Sequence, residues 1–240
     1  MTGFTVKRAG LIALVLLAAL LVLLPLRIAF DMSGLGSRGV SARSVEGTIW
    51  SGTVRDLRIG RLSLGDMDAS LSPLALLGGE TVLAMARAGD TPGQPPLAFD
   101  LARSGDSIAM RNASGDIATA DLFAPLPLRS VTLDGANIAF AGRTCSAASG
   151  AVRVNIEQSL FGISLQRGLS GTLRCDGGDL LIPLKGQSGL EQMDIRITGQ
   201  GRYTADFKIG GLAGGAGAAL SVLGFRQQGD AMAIRINGRF

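Results

Sequence analysis

The sequence predicts a mainly β protein: an N-terminal single transmembrane helix, then a curved, largely antiparallel β-sheet domain, groove- or roll-like, with one or two short helices. Three observations carry this reading. Residues 9–26 form an unbroken apolar run, AGLIALVLLAALLVLLPL, directly after Lys7 and Arg8. Beyond it, short stretches alternate apolar and polar residues, the period of two that a half-buried strand requires. The chain also carries 35 glycines and no long amphipathic helical pattern. One polar and one apolar face per strand implies antiparallel pairing, because parallel strands buried on both faces read as continuously apolar.

The apolar run has 18 residues. As a helix it reaches about 27 Å, close to the hydrocarbon core of a bilayer. If Arg27 snorkels to the headgroups, residues 28–30 can extend the helix. Lys7 and Arg8 then hold residues 1–8 in the cytoplasm, residues 9–30 are the anchor, and residues 31–240 cross to the far side. A cleaved signal peptide is the competing reading. It needs a shorter apolar core and a small-x-small cleavage site, whereas Pro-Leu-Arg-Ile-Ala-Phe-Asp follows here.

Past the anchor, Leu57 and Ile59 alternate before the phase slips at Gly60-Arg61, the mark of a bulge or tight turn. Residues 72–77 read as a short helix with Pro73 in its first turn and Gly78-Gly79 ending it. Residues 88–96, rich in Pro, Gly and Asp, read as an exposed loop. Asp134-Gly135, between residues 131–133 and 137–140, has the composition of a type I′ hairpin turn. Val152, Val154 and Ile156 share one strand face. Asp176-Gly177-Gly178-Asp179 and Gly199-Gln200-Gly201 close two further hairpins. Residues 216–223 form a second short helix ended by Gly224. Met232, Ile234, Ile236 and Phe240 line one face of a last strand. About twelve strands result, in a sheet covered by the short helices or folded over on itself.

Composition excludes several function classes. The chain has no histidine, which removes His-based metal sites and the Ser-His and Cys-His nucleophile pairs. Once Lys7, Arg8 and Arg27 are set aside, the remaining 20 of the 23 basic residues face 19 acidic ones. A nearly neutral domain without a basic cluster is a poor nucleic-acid binder. The two cysteines, Cys145 and Cys175, fall on the exported side, where one disulfide is the simplest state and two buried free thiols the alternative.

The remaining candidates for chemistry read more simply as structure. Residues 210–217 are glycine-rich after a strand and before a helix, as phosphate loops are, yet lack the Gly-Lys-Ser/Thr ending. Asp66 and Asp68 share a strand face and could hold a cation, but turn and solvent-face roles suit them better. Asp134, Asp176 and Asp179 are accounted for by their turns. Asn112-Ala113-Ser114 is a sequon match of low specificity. Trp50, the single tryptophan, lies between glycines and suits a sheet anchor.

Gly47-Thr48-Ile49-Trp50-Ser51-Gly52, soon after an apolar anchor, resembles the signature of the type II (general) secretion pathway protein N family. Leu62-Ser63-Leu64-Gly65, the Leu71–Gly79 stretch around Pro73 and Gly78, and the Cys145 and Cys175 segments extend the resemblance over nearly the whole chain. One departure stands out: Asp68-Ala69-Ser70-Leu71 stands where family members often carry a tryptophan. The resemblance implies a non-enzymatic, single-pass accessory or assembly component of the inner membrane, without cofactor or metal. Its periplasmic domain would contact other type II secretion subunits. A weaker similarity to AsmA-like envelope proteins, whose sheets curl into apolar grooves, implies the alternative: a module that shelters a lipid.

Overall fold

The computed structural model describes residues 10–12, 15–16, 19–34, 36, 39–87, 95–119, 128–156, 168–211, 216–222 and 224–239. Its strands are β1 (Val40–Ser41), β2 (Ser44–Thr48), β3 (Ser51–Ile59), β4 (Leu62–Leu71), β5 (Thr81–Arg87), β6 (Leu97–Ser104), β7 (Ser107–Ala118) and β8 (Leu128–Ala141). They continue with β9 (Thr144–Ile156), β10 (Leu169–Thr172), β11 (Arg174–Asp176), β12 (Asp179–Lys185), β13 (Glu191–Ile197), β14 (Arg202–Gly210), β15 (Arg226–Gln228) and β16 (Ala231–Arg239). All belong to one 16-stranded sheet ordered β1-β3-β4-β5-β6-β7-β8-β9-β10-β12-β13-β14-β16-β15, with β2 also on β3 and β11 also on β12. Every pairing is antiparallel, as the alternation of faces requires. Short helices accompany the sheet, among them α1 (Leu26–Met32), α2 (Pro73–Leu77) and α3 (Ala216–Val222).

The apolar face is dry. Val154, Leu184, Met193, Phe207 and Ile209 are each at most 1% exposed. A sheet face is excluded from water only when a second layer lies on it. Among the described residues, helices of five to seven residues cannot cover so many strands, so within them the sheet covers itself. Strands β7 to β16 supply one core cluster, and α3 closes it with Leu220, beside the edge-to-face pair Phe207–Phe225 at 6.1 Å. A second cluster gathers Leu26 and Ile49 with Val54, Leu57, Met67, Met85 and Leu97, and Phe99 touches both.

Bulges bend the sheet, and one of them overturns a predicted turn. Asp134-Gly135 closes no hairpin: β8 runs straight through it to Ala141. The register to β7 shifts between Met110, Ala113 and Gly115, and the register to β9 shifts between Asp134 and Asn137. Gly135, at φ 57°, supplies the extra residue of a bulge. The Ser114 Oγ accepts its N–H at 3.0 Å and Asn137 Nδ2 donates to its carbonyl at 2.8 Å. The left-handed conformation that Asp-Gly favours thus serves a bulge. Asp134 is held there, not by a turn. Aligned irregularities across β7, β8 and β9 bend neighbouring strands along one line, around Ala113 and Ala136, both fully buried.

Where one strand stops short, a side chain takes over. β5 ends at Arg87, whose guanidinium donates to the carbonyls of Leu64, Asp116 and Pro95. Burial pulls this group below its ordinary value, with Asp116 opposing.

The other predicted turns are found in place. The Gly60-Arg61 slip is the tight turn between β3 and β4. The hairpins at Gly177-Gly178 and Gln200-Gly201 join β11 to β12 and β13 to β14. The predicted loop at 88–96 lies mostly outside the described residues, as do Leu223 and Phe240.

Cys145 and Cys175 are disulfide-bonded, with Cα atoms 5.6 Å apart and a separation of 30 positions in sequence. The bond lies where the β9–β10 ladder ends: Leu173 N–H reaches the Gly150 carbonyl, and Cys145 N–H reaches that of Gly178. It therefore fastens β11 to β9 across a seam with few ladder bonds. Closing a loop of this size contributes about 3–4 kcal/mol in the chain-entropy model. Reduction, or the Cys145→Ser/Cys175→Ser pair, is expected to lower unfolding stability by about 2–4 kcal/mol in urea denaturation. An unchanged midpoint would show that the seam holds without the bond.

Candidate functional site

Residues 47–52 form the joint between the N-terminal apolar segment and the sheet. The segment does not continue as one helix through residue 30. Backbone is helical at 19–22, turns at Leu23, extends through Leu24 and Pro25, and becomes helical again in α1. Pro25, at φ −66° and ψ 134°, makes an isolated bridge with Thr48. Proline has no N–H to donate and drives the residue before it out of the helical region, so the interruption falls where Pro25 puts it.

The six residues then hold this interruption against the sheet. Ile49 N–H donates to the Leu24 carbonyl at 3.0 Å, and Leu71 N–H donates to the Ile49 carbonyl at 2.9 Å. A hydrogen-bonded path thus runs from the apolar segment through the β2–β3 turn to the end of β4. Trp50 Nε1 donates to the Leu21 carbonyl at 3.0 Å. The Leu21 carbonyl also accepts a long bond from Leu24 N–H at 3.5 Å, and the indole gives it a second, shorter donor where the helix ends.

The two glycines are fixed by space. Gly47 sits at φ +85°, and a Cβ there would lie 2.6 Å from the Ser51 carbonyl oxygen. At Gly52 a Cβ would lie 2.7 Å from Leu26 Cδ2 and 2.5 Å from the Glu46 carbonyl. Gly52 therefore leaves the room that Leu26, 8% exposed, fills. Burying this leucine contributes about 2 kcal/mol and each hydrogen bond about 1, so packing of Leu26 is the largest single contribution.

α2 stands beside the joint, two residues beyond Leu71. Ser72 caps it by accepting from Ala75 N–H at 3.4 Å, Pro73 occupies its first turn, and Gly78 ends it at φ −83°. The left-handed residue is the next one, Gly79, at φ 78°. None of its residues is buried: Leu74 is 78% and Leu77 87% exposed. Pro73 and Gly78-Gly79 located this helix in the sequence but could not show that it lies uncovered.

The other sequence candidates lie elsewhere and are engaged structurally. Asp66 accepts the backbone N–H of Asp56 at 2.8 Å, bracing the β3 bulge where Asp56 takes φ 51°. Asp68 accepts from Thr53 Oγ1 at 3.0 Å. No group of three or more metal-ligating side chains occurs among the described residues. Asn112, at φ 54°, belongs to the β7 bulge, and its side chain donates to Asp100. Asp176 pairs with Arg196 at 2.5 Å. Most of the 210–217 stretch lies outside the described residues.

Two surface cavities accompany these features. One, of about 420 Å³, lies on the polar face beside the joint, between Glu46, Gly52, Asp68 and Ala84. The other, of about 650 Å³, lies between β13 and β15 and carries Asp194, Lys208 and Arg226 beside the Asp206–Arg235 pair.

The family model described as type II secretion system (T2SS), protein N, matches residues 38–235. No curated protein and no solved structure matches the chain.

Trp50→Phe keeps most of the ring packing but removes the N–H, so it is expected to cost about 1 kcal/mol in denaturation of the full chain. Gly52→Ala forces Leu26 out of place and is expected to cost about 1–3 kcal/mol. If both variants match the parent, the joint is not formed. At the bulge, hydrogen bonds from Arg58, reinforced by Arg43, hold the Asp56 carboxyl below its ordinary 3.8. Its stabilising effect is therefore present above that pH and fades as the pH falls through the lowered value. Arg58→Gln is expected to raise the Asp56 titration midpoint in a carboxyl NMR titration.

Proposed function

The chain belongs to the type II secretion system protein N family, and we propose that it is a non-enzymatic assembly subunit held in the bacterial inner membrane. It is a component of the type II secretion apparatus, and membership implies interaction with other subunits of that apparatus. In this reading residues 1–8 are cytoplasmic and the anchor begins at residue 9 and ends at Leu23, short of the expected residue 30, because Leu24–Leu26 are held by the sheet; the β-domain that follows is periplasmic.

One observation carries the placement. The N-terminal segment is docked at its end yet bare at its described leucines: Leu11, Leu16, Leu20 and Leu23 are each more than 60% exposed. No helix among the described residues is long and apolar enough to cross a membrane. Parts of this segment fall outside those residues. Leucines left in water cost about 2 kcal/mol each, so a contiguous row of them calls for an apolar phase. Lys7 and Arg8 set the direction of insertion. The disulfide fits an oxidising compartment on the far side.

For partner docking the fold offers an open edge. β15 covers only Ala231, Met232 and Ala233 of β16, leaving the rest of that edge free of strand pairing among the described residues. Free N–H and C=O groups on a sheet edge can accept a partner's strand. The lipid-sheltering alternative has no observation in its favour, since the chain's own side chains pack the apolar face.

The test is in-cell photo-crosslinking from Asn237 of the tagged full chain, with mass spectrometry of what is captured. Subunits of the type II secretion apparatus are expected. Lipid-transport proteins in their place, or abundant lipid with no protein, would contradict the assembly role.

A further inference from the structure

We propose that α2 is a second membrane contact: its leucines enter the headgroup–acyl boundary of the periplasmic leaflet beside the anchor. The inference rests on the membrane reading above.

The first argument is length. Fifteen residues separate Arg8, the last charge before the apolar run, from Leu24. Even wholly helical, they span about 22 Å, against about 30 Å of hydrocarbon. Nothing further along the chain can supply the difference. Leu24 and Pro25 are extended and bonded to the β2–β3 turn, and Leu26 is buried in the core of the sheet. A bilayer of ordinary thickness must therefore reach about 8 Å past Leu23, onto the end of the domain itself.

That end is built for such contact. The path from Leu24 to Ile49 to Leu71 takes two steps, each about one strand spacing of 4.8 Å. Two further residues, at most about 7 Å of chain, reach Pro73. α2 thus stands next to the point where the apolar segment leaves the domain. Residues 71–79 carry no charge. Leu74 and Leu77 are 78% and 87% exposed, and Leu76 39%. At the same end of the antiparallel sheet, the β6–β7 connection leads into Ile108, 53% exposed. Trp50, with its N–H bonded and its ring partly packed, suits the same interfacial level. An uncharged, leucine-rich helix beside the point where the apolar segment leaves the domain is what a domain seated on a bilayer requires.

The native chain offers a clean probe, because both cysteines are in the disulfide and none is free. Leu77→Cys, labelled with an environment-sensitive fluorophore, is compared with Arg61→Cys in full-length protein reconstituted into phosphatidylethanolamine/phosphatidylglycerol vesicles. At Leu77 a blue-shifted emission is expected, quenched by shallow lipid-borne nitroxides and shielded from aqueous iodide. At Arg61 the reverse is expected. High-pH sedimentation of the same vesicles separates the two layers of the argument. If the protein stays with the vesicles but both sites respond alike to iodide, the contact is refuted and the anchor stands. If the protein leaves the vesicles, the anchor and the contact fall together.

Discussion

The structure depends on one handover of backbone hydrogen bonds, from Leu24 to Ile49 to Leu71. The Pro25 carbonyl accepts from Ile28 and Ala29 of α1, but the Leu24 carbonyl would otherwise be left without a partner, which is costly wherever water is scarce. The β2–β3 turn supplies that partner through Ile49 N–H, and Trp50 adds a bond to the Leu21 carbonyl at the helix end. The apolar segment is consequently joined to the sheet by fixed geometry and not by a flexible tether. Orientation of the β-domain relative to the segment follows from this joint, and so does the position of α2.

The remainder of the molecule solves a different problem: how a single long sheet keeps one face dry without a second layer. It curls over its own apolar face, helped by aligned bulges across β7, β8 and β9 and by the short α3. Local pairing weakens along the seam between β9 and β11, where the Cys145–Cys175 bond fastens the two. Arg87 plays a comparable part at the end of β5, offering donors to carbonyls that no strand reaches. Both core clusters share Phe99, so the part of the sheet near the joint and the curled remainder form a continuous apolar interior.

Much of this architecture was legible in the sequence, for physical reasons. The period-two runs at 152–156 and 193–209, and the hairpins at 176–179 and 198–202, express local preferences that tertiary structure left unopposed. So does the Ser72-capped helix. Failures occurred where one local signal serves two geometries. Asp134-Gly135 prefers a left-handed conformation, which a hairpin and a bulge both use, and only the pairing of β8 on both sides decides between them. Pro25 carried the one available signal that the apolar run is interrupted, and hydrophobicity over the whole run masked it. Asp66 looked like half of a cation pair because spacing alone cannot reveal an N–H across the hairpin. The hexapeptide 47–52 was legible as a motif, whereas its task was not: Leu21, Leu24 and Leu26 lie more than twenty residues away in sequence.

Amide hydrogen exchange on the full-length protein in lipid nanodiscs examines the joint most directly. Ile49 and Leu71 lie in or beside a surface turn, where amides ordinarily exchange fast, and only the handover gives them acceptors. The account predicts protection at both positions comparable to that of the central strands β8 and β9. Exchange at the rate of the Gly60-Arg61 turn would contradict it and would leave the apolar segment merely tethered to the sheet.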